Sequence, residues 1–150
     1  MGHGDPAGIR IRDARIGDAS DVARLLEALG YPCTRDEAAE RISLVLADPR
    51  QRLLLAEIDG HASGMAGLDL RYSLARGTEQ ARITALIVEA ECERQGIGRR
   101  LLREVELIAR QAGAARIEVN SAASREGAHA FYHGCGYGDG SRHFVKLLGD

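Results

Sequence analysis

Much of the architecture follows from residues 86–102, LIVEAECERQGIGRRLL. An apolar run (Leu86 to Val88) reads as the end of a buried strand, and a polar loop follows. Gly96 and Gly98 then open a helix whose apolar stripe is Ile97, Leu101, Val105, Ile108 and Ala112. Glycines at such a start let the backbone turn with several N–H groups facing outward and no side chain in the way. Together with the helix dipole, those amides suit a diphosphate. Arg94, Arg99, Arg100 and Arg103 gather positive charge around the turn. Two phosphate-binding designs do not fit. A P-loop needs Gly-Lys-Ser/Thr, and Arg99 and Arg100 follow Gly98. A Rossmann fingerprint needs a small residue where Leu101 stands, which disfavours a nucleotide-binding oxidoreductase.

Working outward, Ile9–Arg12 alternates as a first strand, and Val22, Leu25, Leu26 and Leu29 recur at helical spacing before Gly30. Thr34 and Glu37 form a capping-box pattern ahead of a second helix with Ile42, Val45 and Leu46 on its inner face. Residues 52–58 and 62–72 read as a hairpin around Asp59-Gly60, with Gly64 and Gly67 weakening the return strand or marking a bulge. A loop over 75–80, a strand over 82–89, the glycine-started helix and a strand over 116–120 complete a βαβ crossover. Residues 124–134 read as a short helix and 143–148 as a last strand. The fold class is α/β of the α+β kind: a mixed, mostly antiparallel six-stranded sheet with four helices, forming a single domain over residues 1–150.

The chain has 150 residues, 45% apolar and 28% charged, as ordinary globular proteins do. Twenty basic residues against twenty-two acidic ones, a net charge of -2, argue against a nucleic-acid binder. No apolar stretch is long enough to span a membrane, and the opening MGHGDPAGIRIR lacks a signal-peptide core, so the expected location is the cytoplasm. Cys33, Cys92 and Cys135 are odd in number and widely spaced, and they read as reduced thiols. His129 and His133 lie four apart near Cys135, but no further ligands have matching spacing, so no metal is expected.

Residues 86–102 resemble the acetyl-CoA motif of the GNAT superfamily of N-acetyltransferases, whose core is Arg/Gln-x-x-Gly-x-Gly/Ala after a strand. The glycines fall on Gly96 and Gly98; Glu93 stands in the first position and Ala90 where a proline is usual. A second stretch, Ser124 to Tyr137 (SREGAHAFYHGCGY), is similar to the family's C-terminal motif at Arg125, Ala128, His129, Phe131 and Tyr132. With the element order, the resemblance spans nearly the whole chain. It implies that strand 82–89 splays from strand 116–120 and that the pantetheine arm of acetyl-CoA enters the gap. Main-chain groups at Ile87 and Val88 would pair with the arm, and the segment Arg94, Gln95, Gly96, Ile97, Gly98 and Arg99 would hold the pyrophosphate. Many relatives carry asparagine where Arg125 stands; Arg125 would instead touch a phosphate or an acidic group. Tyr132 would be the general acid beside the sulfur.

The implied reaction moves an acetyl group to a primary amine of a small molecule by direct attack in a ternary complex. An amine of pKa near 10 is only about one-thousandth neutral at pH 7, so it must lose a proton first. The residues do not single out a base: Glu89, Asp69 and Glu57 are carboxylates on or beside strands, Thr84 stands near a strand glutamate of some relatives, and water could serve. A protein or peptide N-acetyltransferase and a non-catalytic acyl-CoA-binding domain remain open alternatives. So does a homodimer through a C-terminal edge strand.

Overall fold

The computed structural model describes residues 8–120, 126–140 and 143–149, with the backbone alone at 93–95 and 126. The chain forms two compact units, Met1–Val119 and Asn120–Asp150.

In the first unit, five strands lie in chain order across one sheet: β1 (Arg10–Asp13), β2 (Gln51–Ile58), β3 (His61–Ser73), β4 (Thr78–Val88) and β5 (Ala114–Val119). The first four pair antiparallel and β4 pairs parallel with β5, so the sheet is mixed. Asp59 and Gly60, with φ of 52° and 81°, make the tight turn between β2 and β3 expected from their sequence. β4 starts earlier than its apolar residues suggest. The turn Leu74–Gly77 is closed by Gly77 N–H donating to the Ser73 carbonyl at 2.8 Å, and the ladder resumes at once with Ser73 opposite Thr78. Thr78 to Gln80 are polar strand residues that hydropathy alone reads as loop.

The sheet is covered on both faces. Helices α1 (Ala19–Leu29) and α2 (Arg35–Leu46) lie on one, where Val22, Leu25, Ala38 and Ile42 pack with Leu55 and Met65. Helix α3 (Ile97–Gln111) lies on the other, and its apolar stripe buries Ile97, Leu101, Leu102, Val105 and Ala109. Alternation along β3 enforces this division: Met65 joins the α1–α2 cluster while its neighbour Gly64 faces Ile97 and Leu101. A Cβ on Gly64 would stand 3.0 Å from Ile97 Cγ2 and 3.1 Å from Leu101 Cδ1, so the bare glycine sets how closely α3 seats. The capping box of α2 forms as its sequence predicts: Glu37 N–H donates to Thr34 Oγ1 at 3.0 Å, and Thr34 N–H to Glu37 Oε1 at 2.8 Å. Leu46 does not reach the core and is 49% exposed; each fourth residue drifts by about 40° round a helix, which carries it past the buried line of Ala38 and Ile42.

The second unit contains α4 (Glu126–Gly134). Its end is a Schellman motif: Tyr137 N–H donates to the Tyr132 carbonyl and Gly136 N–H to the His133 carbonyl, with Gly136 at φ 94°. The rings of Tyr132 and Tyr137 close over it, centroids 5.6 Å apart. The glycine-rich HGCGYG is thus a helix stop. The expected sixth strand is absent: His143–Gly149 has no ladder partner among the described residues, and Phe144 and Leu147 are exposed. Alternating apolar residues supply propensity, but a strand exists only by pairing. No edge strand is thus present there, among the described residues, to pair across a dimer.

Candidate functional site

The course of β4 defines the site. From Glu79 to Ile83 it pairs with β3 on one side and β5 on the other, and the β5 ladder ends at Ile83 opposite Val119. There β4 bulges. Gly67 pairs with Ala85 and Leu68 with Ile83, which leaves Thr84 as an extra residue. Gly67 is required beneath it, because a Cβ there would overlap Thr84 Oγ1. Beyond the bulge β4 continues to Val88 with β3 alone, among the described residues.

Ladder alternation says which main-chain groups face the open side. Glu89 N–H donates to the Ser63 carbonyl at 2.9 Å. In the same register, Gly64 opposite Val88 is a non-hydrogen-bonded pair and Met65 opposite Ile87 a hydrogen-bonded one. The N–H and C=O of Ile87 therefore turn to Met65, whereas those of Leu86 and Val88 turn to the open edge. Side chains alternate as well, and Ile87 packs against the α1–α2 core.

At Glu89 the chain leaves the sheet into a 3-10 turn, Ala90–Gln95, begun by Cys92 N–H donating to the Glu89 carbonyl. The turn meets α3 at Gly96, in the left-handed region at φ 77° and ψ 12°, where an L side chain would be strained. The first intrahelical bond runs from Arg100 N–H to the Gly96 carbonyl, so the amides of Ile97, Gly98 and Arg99 have no partner within the helix. The N-cap, Gly96, has no side chain with which to cap this end, and no acidic residue lies in the first turn, unlike the self-capped α2. Ile97 is fully buried beneath the turn, whereas Gly96 and Arg99 are exposed. The backbone of Arg94 and Gln95 lies in the 3-10 turn, while Arg125 lies outside the described residues. A strand edge without a ladder partner among the described residues thus leads through a short turn to a helix N-terminus begun by a glycine. An extended arm and a diphosphate joined to it fit that sequence of groups.

The carboxylates are differently employed. Glu57 accepts from Arg12 Nε at 2.6 Å, and Asp18 takes the same guanidinium with both oxygens. Arg12 holds both carboxyls below their ordinary values. Asp69 pairs with Arg71 at 3.0 Å. Glu89 binds Arg24, which also donates to Asp21 and to the Ala62 carbonyl. Partial burial pushes the Glu89 carboxyl up, but hydrogen bonds with Glu91 and Arg24 outweigh it and leave the value low. Such a group is a poor proton acceptor at neutral pH. Among the described residues no cluster of His, Cys, Asp and Glu could hold a metal, and His133 instead contacts Asp139. No helix among them is long and apolar enough to cross a membrane.

The family model described as Acetyltransferase (GNAT) family matches residues 21–137. The chain belongs to the GNAT family. The match runs through both compact units. This GNAT chain is 32% identical over 136 residues to aminoglycoside N(6')-acetyltransferase type 1 of Stenotrophomonas maltophilia, covering 88% of each. It is 32% identical over 143 residues to aminoalkylphosphonate N-acetyltransferase of Salmonella typhimurium, covering 92% of this chain and 90% of that one. Among solved structures, an aminoglycoside 6'-N-acetyltransferase of Acinetobacter baumannii superposes with a TM-score of 0.79 at 25% identity, over 95% of this chain and all 100% of that one. A GNAT acetyltransferase of Staphylococcus aureus shares the fold, with a TM-score of 0.81 at 23% identity over 94% and 99% of the two chains. The protein is an N-acetyltransferase, and enzymes of its family use acetyl-CoA as co-substrate.

The sequence did not single out Arg24, Asp21 or Leu86. Arg24 and Asp21 look like solvated residues of an amphipathic helix, and their partners Ala62 and Glu89 are far away in the chain. The glycine pair of β3 was a visible signal: Gly67 does mark a bulge, though the extra residue is on β4.

Proposed function

We propose that the protein transfers the acetyl group of acetyl-CoA to a primary amine of a small molecule, by direct attack in a ternary complex. The observation that carries the reading is that, among the described residues, the β4–β5 ladder ends at Ile83, followed by the bulge at Thr84 and the start of α3 at Gly96. The open-edge groups of Leu86 and Val88 pair with the pantetheine arm as an added strand would. Ile87 holds the edge in place through Met65. The amides from Arg94 to Arg99 bind the pyrophosphate, with Arg99 supplying charge and Arg125 a further contact to phosphate or to the acceptor. Acetyl-CoA supplies an activated thioester.

Tyr132 is assigned as general acid on its place in the Phe-Tyr motif. A phenol of pKa about 10 is protonated at neutral pH and holds a proton for the departing sulfur. The ion-paired Glu57 and Glu89 favour a base other than these two, and water suffices in this scheme. The acceptor class follows the two curated relatives, both named for acetylation of small amines.

Thiol release from acetyl-CoA, followed over aminoglycosides, aminoalkylphosphonates, polyamines and amino-terminal peptides, tests the proposal. Turnover with a small amine and none with peptides is expected. Turnover with peptides alone establishes the protein-acetylating alternative, and binding of CoA without turnover on any amine establishes the non-catalytic one. Replacing Tyr132 by Phe should lower kcat about a hundred-fold with little change in KM for acetyl-CoA. An unchanged kcat removes Tyr132 from the chemistry.

A further inference from the structure

Three successive residues of β3 hold both ends of the turn between β4 and α3. Ser63, the residue left over where the β2–β3 register slips, gives its carbonyl to Glu89 N–H at 2.9 Å. Gly64, next along, provides the space into which Ile97 and Leu101 seat at the far end of the turn. Ala62, on the other side of Ser63, is gripped by α1: its N–H donates to Asp21 Oδ2 at 3.0 Å, and its carbonyl accepts from Arg24 Nη2 at 2.9 Å. The same Nη2 reaches Glu89 Oε1 at 2.5 Å, and Arg24 Nη1 donates to Asp21 Oδ1 at 2.8 Å. One guanidinium thus ties the first turns of α1, the start of β3 and the residue that follows β4 together. Its planar fork can serve several acceptors at fixed angles, which an ammonium cannot do. The Arg24 side chain is about half exposed and the Glu89 side chain only 18% exposed, so the bond lies at the rim of the core and shields its acceptor from water.

Glu89 is where this matters, because its backbone is at once the last rung of the β3–β4 ladder and the first residue of the turn. A side chain locked there fixes the direction in which the chain departs towards Gly96. We infer that Arg24 is a positioning residue for the acetyl donor: by clamping Glu89 to Ala62 it sets the angle of the turn, and so donor affinity, without touching the ligand. The inference rests on the reading of that turn as the pyrophosphate site. It also assigns Glu89 a structural task in place of proton transfer.

Calorimetric titration with CoA, together with KM and kcat for acetyl-CoA, tests it on wild type and on Arg24→Ala, Arg24→Lys, Glu89→Gln and Arg24→Ala/Glu89→Ala. Wild type must bind CoA; if it does not, the pyrophosphate reading itself fails. Given that binding, Arg24→Ala should weaken CoA and raise KM for acetyl-CoA about ten-fold, with kcat at saturation within about two-fold. Arg24→Lys, which keeps the charge and loses the fork, should recover part of the affinity. The double variant should be no worse than Arg24→Ala, because the bond to Glu89 is already broken in Arg24→Ala. A drop in melting temperature with CoA affinity and KM unchanged makes the network merely structural and overturns the inference. A fall in kcat rather than affinity in Glu89→Gln makes Glu89 the proton acceptor and overturns it too. If Arg24→Ala does not fold, Arg24→Lys and Glu89→Gln decide by the same split.

Discussion

The two halves of β4 differ more than any two strands of the sheet. From Glu79 to Ile83 the strand is paired on both sides and flanked by ion pairs, Arg82 with Glu118 at 3.7 Å and Glu79 with Arg50. From Ala85 to Val88 it is paired with β3 alone among the described residues. A single extra residue, Thr84, separates the halves. Composition does not foretell the difference, since the open half (Ala85, Leu86, Ile87, Val88) is the more apolar and has the stronger β propensity. An apolar strand with one edge unpaired is ordinarily a hazard for association. Here it is the feature that matches an extended ligand, and the glycine-started α3 lies immediately beyond it.

Proline scanning of the open half should break the comparison most visibly. Ile87→Pro deletes the N–H that pairs with Met65 and leaves its acceptor unsatisfied, at a cost of about 1–3 kcal/mol, and the expected outcome is a chain that melts well below wild type or fails to fold. Val88→Pro removes an N–H facing the open edge, where proline is tolerated. That variant should fold and show CoA binding weakened about ten-fold or more in calorimetry. Equal damage from both substitutions means that the two halves do not differ as described.

Gly64→Ala acts at the far end of the turn. The new methyl must push Ile97 or Leu101, so melting should report a loss of about 1–3 kcal/mol, with a rise in KM for acetyl-CoA because the start of α3 moves. An unchanged KM in the folded variant separates the height of α3 from donor binding.

The smallest effect expected at the site comes from Arg12, on β1, far along the sheet from β4. Arg12→Ala should destabilise by about 1–2 kcal/mol through its lost bonds to Asp18 and leave KM unaltered. The pH dependence follows from the same group. The native carboxyls of Asp18 and Glu57 lie below their ordinary values, chiefly through hydrogen bonds from Arg12. Their stabilising contribution is complete above the unfolded carboxylate pKa of about 4 and is lost as pH falls through the lower native values. Denaturant titrations from pH 6 to 2 should show this acid limb in wild type and a shallower one in Arg12→Ala.

What could be read in the sequence was what neighbours in the chain decide. The Thr34–Glu37 capping box, the Asp59-Gly60 turn and the stripe of α3 each depend on contacts within a few residues; the first two form as expected, and the stripe does so at Ile97, Leu101 and Val105 but closes with Leu102 and Ala109 buried and Ala112 exposed beyond the helix. The start of α3 at the glycine pair after an apolar strand was legible on the same footing. What escaped depends on pairing across the chain. The early start of β4 is set by the Ser73–Gly77 turn and its ladder, and the absence of a strand at His143–Leu148 by the lack of a partner among the described residues. Which of Leu86, Ile87 and Val88 faces outward is set by the register with Met65, which no local pattern encodes. The bond from Arg24 to Glu89 spans 65 positions, and each partner alone looks like an ordinary surface charge.

Hydrogen exchange at the β4 amides, with and without acetyl-CoA, tests the central claim most directly. In the free protein Ile87 N–H should exchange slowly and Val88 N–H quickly; on saturation with acetyl-CoA, Val88 should become protected while Ile87 changes little. A Val88 amide already protected in the free protein, or one that acetyl-CoA leaves as fast as before, contradicts the account.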